Sequence, residues 1–548
     1  MNLKPSVLAD LARLRFEGLP LPGSTPLKIC LWILILVGIA ARLSPLVNFD
    51  DRLFWQYVTE DGYLMQTVAR NMAMRLGMST ADGTIPTNGV QPLAVFLFAA
   101  LHFIAGGSKQ FGIVLVTLFS TVVSAVSGYY AYKLSAQVLS NLKHGRYLAM
   151  ISAALWFSAP HTISNSMNGL ETGIYFAAIL FTFNYYLTII SKSSDSLTLK
   201  QRLILGFLLG VTFLARNDAV FFIGGLLFSH LIVGDKKIGG GFRQRLFDCL
   251  FAGITSMLVA LPWLINNYVK FGSIIPISGI SESHGTNFGE NLAVMPANLF
   301  GSTFIYAPIP VSLQNSTLIF LFSIISVSFS LLLFWIFSAR LTLLSRRYFI
   351  AFLVFTIALS GYYGLFFGAP YFLVRYFSPL SPFLWLATCT AIIFLINVFF
   401  YTSANIQRAT TVVVLVLTLG SATFFYSDFS RGYAKGTSQM HQHVVNWVKK
   451  NVSESQWVGA PQTGTLGFFH DRTINLDGKV NPDALHARQD YGNVLQYVVN
   501  SKIDYIADWY MYENWVDMDP QFAKEFKVVV TDKQSNLSVL KRINSVAQ

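Results

Sequence analysis

The sequence predicts a polytopic α-helical membrane protein of about 11–13 transmembrane helices, with a small α/β soluble domain at its C-terminal end. Three observations carry that expectation. Of 548 residues, 53% are hydrophobic and 12% charged, with a mean hydropathy of +0.51. Soluble domains carry roughly 25% charged residues, which excludes an ordinary soluble enzyme. Apolar runs long enough to cross about 30 Å of hydrocarbon recur through residues 1–429. From residue 430 to 548 the composition changes to 13 basic and 12 acidic residues with no spanning run.

In chain order the apolar runs are 26–47, 110–138, 148–167, 170–190, 203–215, 219–233, 249–268, 317–338, 348–367, 377–401 and 410–426. The first is too long for the apolar core of a signal peptide and has no small-residue cleavage site after it, so no cleavable signal is expected. A further run, 90–105, is shorter than the roughly 20 residues that a span needs and reads as interfacial or re-entrant. Residues 48–89 form a loop before it. From Glu60 the stripe Tyr63, Met65, Val68, Met72 and Leu76 has helical spacing, with Gln66, Arg70, Asn71 and Arg75 on other faces. That pattern predicts an amphipathic helix lying in the membrane interface. Asp82-Gly83 and residues 86–89 carry turn chemistry. In residues 430–548, helices are expected near 439–451 and 493–500 and strands near 457–460, 503–507 and 527–531. Cys30, Cys249 and Cys389 fall in or at the ends of apolar runs and read as small core residues, not as a disulfide framework.

The positive charges set an orientation. Segments 1–28, 139–147, 191–203, 234–248, 339–348 and 402–409 hold 17 Lys+Arg and 5 Asp+Glu, the whole net charge of +12, while the rest of the chain holds 22 of each. Short Lys/Arg-rich segments stay in the cytoplasm, so these six and the N-terminus are read as cytoplasmic. Basicity is then an orientation signal, and no nucleic-acid partner is expected. Residues 48–109, the turn before Glu171, the 216–218 turn, 269–316, 368–376 and everything after 427 share the outer face.

Four carboxylates, Asp50, Asp51, Glu60 and Asp61, follow the first apolar run. Glu60 and Asp61 begin the amphipathic helix, where the macrodipole favours ionised carboxylates and acidic caps are common. These residues also carry a resemblance. Glu60-Asp61-Gly62-Tyr63, Ala69-Arg70-Asn71 and the stretch from Thr87 through Asn88 and Gln91 to Leu93 resemble the first-loop signature of a bacterial branch of the GT-C glycosyltransferases. The series continues with Gly169-Leu170-Glu171-Thr172, the stretch from Leu214 through Arg216 and Asp218 to Ala219, Pro262-Trp263 and Phe271-Gly272-Ser273. It ends with Arg375-Tyr376-Phe377-Ser378-Pro379 and Asn475-Leu476-Asp477-Gly478. The superfamily includes protein O-mannosyltransferases and lipid A aminoarabinose transferases.

The resemblance implies an inverting transfer of a hexosyl or pentosyl group from a polyprenyl-phosphate donor to a glycan, lipid or protein acceptor. It implies a multi-pass protein of the bacterial cytoplasmic membrane, with residues 1–429 as the membrane domain and 430–548 as a periplasmic domain. Such a transfer needs a carboxylate to take the acceptor proton and cations to stabilise the leaving phosphate. Asp61 matches the family's first-loop aspartate and is the expected base, with Glu60 as the neighbour that raises its pKa or orients the acceptor. Asp50 and Asp51 are the alternatives, or solvated loop residues.

Arg375, in an aromatic setting at the outer surface, is the first candidate for the donor phosphate. Arg216 and Asp218 interrupt an apolar stretch where charge is costly, and Glu171 faces the same side. Asn88 and Gln91 belong to the first-loop signature, and His284 lies in a polar loop with Ser281, Glu282 and Asn287 that reads as a gate for donor or acceptor. Paired carboxylates would also suit a divalent ion, so metal dependence stays open. His441 and His443, two apart, would face different sides of a helix. GxGxxG, GxxxxGK[ST] and HExxH patterns are all missing, so nothing supports nucleotide binding. The competing reading is a transporter or flippase of a lipid-linked glycan, which calls for pseudo-symmetric halves and midplane charges. A membrane scaffold is a third reading and would not need the acidic loop.

Overall fold

The computed structural model describes residues 25–47, 52–142, 145–192, 197–234, 241–307, 309–399, 403–431 and 437–543. Among these, seven helices are long and apolar enough to cross a membrane: Thr25–Val47, Lys109–Val138, Thr172–Lys192, Phe242–Phe271, Thr317–Trp335, Leu343–Leu365 and Pro370–Ile393. Pro92–Ile104, Ala219–Ile232 and Arg408–Phe424 are shorter apolar helices. The chain is thus a multi-pass membrane protein. Apolar run 148–167 is two helices, Gly145–Ser158 and Pro160–Met167. Pro160 causes the break, because proline has no N–H to donate and its ring clashes with the carbonyl four residues back.

The loop helix forms over Glu60–Ala73, with Thr59 as N-cap accepting from the Gly62 N–H at 3.1 Å. It differs from the sequence expectation in its surroundings. Its polar residues do not face water: the helix lies between the Pro92–Ile104 helix and a short helix of the C-terminal domain, Gly464–Phe469. Gln66 is fully buried, donating to the Gly169 carbonyl at 2.7 Å and bonding His102 at 3.1 Å. Asn71 donates to Ser79 O, and Arg70 pairs with Asp471 at 3.1 Å. Such partners offset the desolvation that burying amides and a guanidinium costs. Gly62 is required here, since a Cβ would lie 2.1 Å from the Asn168 carbonyl oxygen. That close approach sets the loop leading to Glu171 against the first turn carrying Asp61.

The Pro92–Ile104 helix is about 20 Å long at 1.5 Å per residue. Both of its ends lie against the C-terminal domain. Before it, a Cβ on Gly89 would meet the Lys479 carbonyl oxygen at 2.0 Å. After it, Lys109 donates to Phe469 O at 3.2 Å and pairs with Asp471 at 2.9 Å.

A two-residue ladder, β1 (Ser79–Thr80) with β2 (Ile85–Pro86), closes the outer loop. The C-terminal domain is a five-stranded mixed sheet of β3 (Val458–Ala460), β4 (Thr473–Asn475), β5 (Tyr505–Asp508), β6 (Phe526–Asp532) and β7 (Leu537–Arg542), in the order β4-β3-β5-β7-β6. β3 pairs in parallel with β4 and β5, and β7 pairs antiparallel with β5 and β6. Apolar clusters around Val448 and Leu466 and around Ile474 and Leu495 anchor the domain's helices to it.

Candidate active site

A cavity of about 410 Å³ opens where the outer loop, the membrane helices and the C-terminal domain meet. Its lining includes Asp61, Gln91, Glu171, Arg216, Asp218, Glu282, Arg375 and Lys479, residues drawn from across the chain.

Asp61 occupies the first turn of the Glu60–Ala73 helix, and each of its carboxylate oxygens faces a different cation. Oδ2 accepts from Arg375 Nη1 at 2.8 Å and Oδ1 lies 3.7 Å from Lys479 Nζ. Burial pushes the Asp61 carboxyl up, but Lys479 and Arg375 outweigh it and hold it below the usual carboxylate range. Arg375 rides on the short Leu373–Phe377 helix after Ala369, a non-glycine residue at φ 56. Its guanidinium lies 4.4 Å from the Phe372 ring centre and 5.2 Å from that of Tyr376, and its Nε has no hydrogen-bond partner among the described residues.

Lys479 reaches the cavity from the loop after β4. Its Nζ sits 2.6 Å from Glu282, 3.7 Å from Asp61 and 3.9 Å from Asp477. Three carboxylates around one ammonium hold that ammonium charged, well above its ordinary pKa despite burial. Glu282 and Asp477 shift upward instead, chiefly from burial.

Across the cavity Arg216, the extended residue ending the Leu199–Ala215 helix, pairs with Asp218 at 3.1 Å and lies 3.8 Å from Glu171. Tyr363 OH donates to Asp218 at 2.8 Å, and its ring stacks on Tyr376 at 4.3 Å. Tyr376 also lies 5.1 Å from the Arg216 guanidinium, so one ring separates the two arginines. Arg216 Nη1 and Asp218 Oδ1 have no partners among the described residues.

The cavity therefore gathers Asp61, Arg375, Arg216, Asp218, Glu171 and Gln91. Three other candidates lie outside its lining. Glu60 points away: its carboxylate accepts from the N–H groups of Gly464 and Thr465 (3.0 Å for the latter) and from the Thr465 hydroxyl. Consecutive helical residues project about 100° apart, which is why adjacent acids reach opposite surroundings. Glu60 therefore does not flank Asp61 as a like charge, and the pair does not converge on a metal ion. Asn88 is buried beside the cavity, accepting from the Ile277 N–H at 3.1 Å. His284 is exposed past the end of the Ile277–Ser283 helix. Asp50 and Asp51 lie outside the described residues. Among the described residues no group of three or more His, Cys, Asp or Glu side chains could hold a metal ion. His441 is buried in the C-terminal domain, 3.3 Å from Asp508. No individual role for Lys479 or Glu282 is legible in the sequence: Glu282 is legible only as part of the polar gate loop, and Lys479 only as the residue after the Asn475-Leu476-Asp477-Gly478 stretch.

The chain superposes on the crystal structure of ArnT from Cupriavidus metallidurans bound to undecaprenyl phosphate, with a TM-score of 0.59 at 11% identity, covering 94% of this chain and 98% of that one. The fold is the GT-C fold. The apo state of the same ArnT matches with a TM-score of 0.59 at 12% identity, again over 94% and 98%. The oligosaccharyltransferase AglB from Archaeoglobus fulgidus, in complex with an inhibitory peptide and a dolichol-phosphate, matches with a TM-score of 0.56 at 14% identity, over 92% of this chain and 72% of that one. Residues 431–542 match a family described as a domain of unknown function, DUF8728. A search of curated protein sequences finds no match. A GT-C fold built at such low identity keeps its architecture while its side chains diverge, so the chemistry has to be read from this cavity.

Proposed function

We propose that this protein is a glycosyltransferase that moves a hexosyl or pentosyl group from a polyprenyl phosphate to a hydroxyl of a glycan, lipid or protein at the outer face of a bacterial cytoplasmic membrane. The observation that carries the reading is the convergence of Asp61 with Arg375 and Arg216 in one cavity that also has an apolar wall of Phe213, Val220, Phe221, Leu264 and Tyr362. A polyprenyl chain suits that wall. The phosphate suits the arginines, whose Nε (Arg375) and Nη1 (Arg216) are without hydrogen-bond partners among the described residues.

The acceptor oxygen attacks the anomeric carbon from the face opposite the phosphate, the carbon–oxygen bond to phosphate breaks, and the acceptor proton passes to Asp61. The products are the inverted glycoside and the free polyprenyl phosphate, whose developing charge the arginines stabilise. Undecaprenyl phosphate in ArnT and dolichol-phosphate in AglB support this donor class.

The basic segments support a cytoplasmic N-terminus and an outward cavity, with residues 1–429 as the membrane domain and 430–548 as the periplasmic domain. Contact of both ends of the Pro92–Ile104 helix with the C-terminal domain supports the re-entrant reading of that segment. Mass spectrometry of cells lacking the protein tests the function: an accumulated polyprenyl-phosphate sugar with a glycan, lipid or protein lacking that sugar is expected. Unchanged donor and acceptor pools would refute it.

A further inference from the structure

We infer that Lys479 is the positioning residue that keeps Asp61 in place while Arg375 engages the donor phosphate, so that the C-terminal domain completes the catalytic site. This rests on the transfer reading above. In the structure Arg375 is bonded to Asp61 Oδ2, and that same guanidinium is the best cation for the phosphate. A phosphate that recruits Arg375 frees Oδ2 to take the acceptor proton but also removes the bond that aims the carboxylate. Lys479, fixed by Glu282 at 2.6 Å, lies 3.7 Å from the other oxygen, Oδ1, an ion pair that does not depend on Arg375.

The surroundings of the two cations separate their roles. Among the described residues Arg375 makes an ion pair with one carboxylate, Asp61. Lys479 faces Asp61, Glu282 and Asp477 at once, a net negative shell that repels a phosphate and retains the ammonium. The lysine is also rigidly delivered. Asn475 Oδ1 accepts the Gly478 N–H at 3.0 Å, Asp477 Oδ1 accepts the Lys479 N–H at 2.9 Å, and Ser281 Oγ and Arg488 both donate to the Asp477 carbonyl. The Lys479 carbonyl rests on Gly89, so the loop is locked to the membrane domain on one side and to the Ile277–Ser283 helix on the other. The charged groups around Asp61 are Arg375, Lys479, Glu282 and Asp477, with Arg216 and Glu171 across the cavity and Glu60 turned away.

The test uses the full-length protein in nanodiscs, with Lys479→Met and Lys479→Arg. Lys479→Met is expected to bind undecaprenyl phosphate within about threefold of wild type while transfer falls about 100-fold or more. The acidic limb of its pH–rate profile should move up by about one pH unit, because Asp61 loses a cation. Lys479→Arg should recover at least about a tenth of the wild-type rate. Undiminished transfer, an unmoved acidic limb, or binding weakened about tenfold or more would overturn the assignment, the last by making Lys479 a phosphate ligand. Carbodiimide coupling of the wild-type protein adds a readout independent of turnover, an isopeptide bond from Lys479 to Glu282 or Asp61. Protein that transfers sugar but forms no such bond overturns the Lys479 assignment, whereas protein that forms it and transfers no sugar from any polyprenyl phosphate overturns the transfer reading.

Discussion

Glu60→Ala separates anchoring from chemistry at the acidic pair. The Glu60 carboxylate accepts two backbone N–H groups and a hydroxyl at the start of the Gly464–Phe469 helix, and this joins the outer loop to the C-terminal domain. Leaving a buried donor unpaired costs about 1–3 kcal/mol, and the Thr465 hydroxyl can rotate to a new partner, so the two N–H groups dominate. Local opening at this joint should become easier by about 2–6 kcal/mol, which is about 30- to 25,000-fold faster hydrogen exchange. Glu60→Gln keeps one acceptor oxygen, but the Gly464 and Thr465 N–H groups use different oxygens, so one of them loses its acceptor, at a cost of about 1–3 kcal/mol or roughly 5- to 150-fold faster exchange. Exchange at the Gly464 and Thr465 amides measures this directly, beside the transfer rate of the same preparation. Transfer by Glu60→Ala should fall by less than about tenfold, because Asp61 and its cations remain. Transfer lost by about 1000-fold with unchanged exchange would refute the anchoring role and return Glu60 to the chemistry.

Other expectations follow from the same geometry. Arg375→Gln removes a charge-assisted bond worth about 1.5–3 kcal/mol, so undecaprenyl phosphate should bind about 10- to 100-fold more weakly. The acidic limb of the pH profile should rise as Asp61 loses a cation; unchanged affinity would contradict the role in phosphate binding. Asp508 is buried in the C-terminal domain, and desolvation pushes its carboxyl up to about 7 against the pull of His441. A group with a raised folded pKa gives stability that is complete below its unfolded pKa, about 3.9, and lost as pH rises through the folded value. Between about pH 4 and 7, Asp508 should therefore lower stability by up to about 1.4 kcal/mol per pH unit, and Asp508→Asn should remove that slope. Denaturation of the full chain followed by tryptophan emission checks it, and equal slopes in the two proteins would contradict the assignment.

Much of the fold was legible because membrane helices announce themselves by long apolar runs and because β5 and β6 are short runs rich in Val, Ile and Tyr. The Glu60–Ala73 helix was legible from its stripe, but its environment was not: Gln66 and Asn71 look like solvated positions until Gly169, His102 and Ser79 are brought to them across the fold. β4 is three residues long, too short to display alternation. In the cavity, Arg375, Arg216, Asp218 and Glu171 stand out by charge in apolar or outward settings, a signal that single residues can carry, whereas Asp61 stands out by the first-loop resemblance. Glu60 was not separable from Asp61 by type or by position, since only the helix rotation and the partner at Gly464 distinguish them. Lys479 belongs to a charged domain in which one lysine is unremarked, and its meaning comes from Asp61 and Glu282, far away in sequence.

Asp61→Asn probes the proposed passage of the acceptor proton to Asp61 in transfer from a polyprenyl phosphate. Purified protein carrying Asp61→Asn, assayed for sugar release from polyprenyl-phosphate sugars beside wild type, measures it most directly. Transfer is predicted to fall about 100- to 10,000-fold while undecaprenyl phosphate still binds. Transfer equal to wild type would show that Asp61 is not the base.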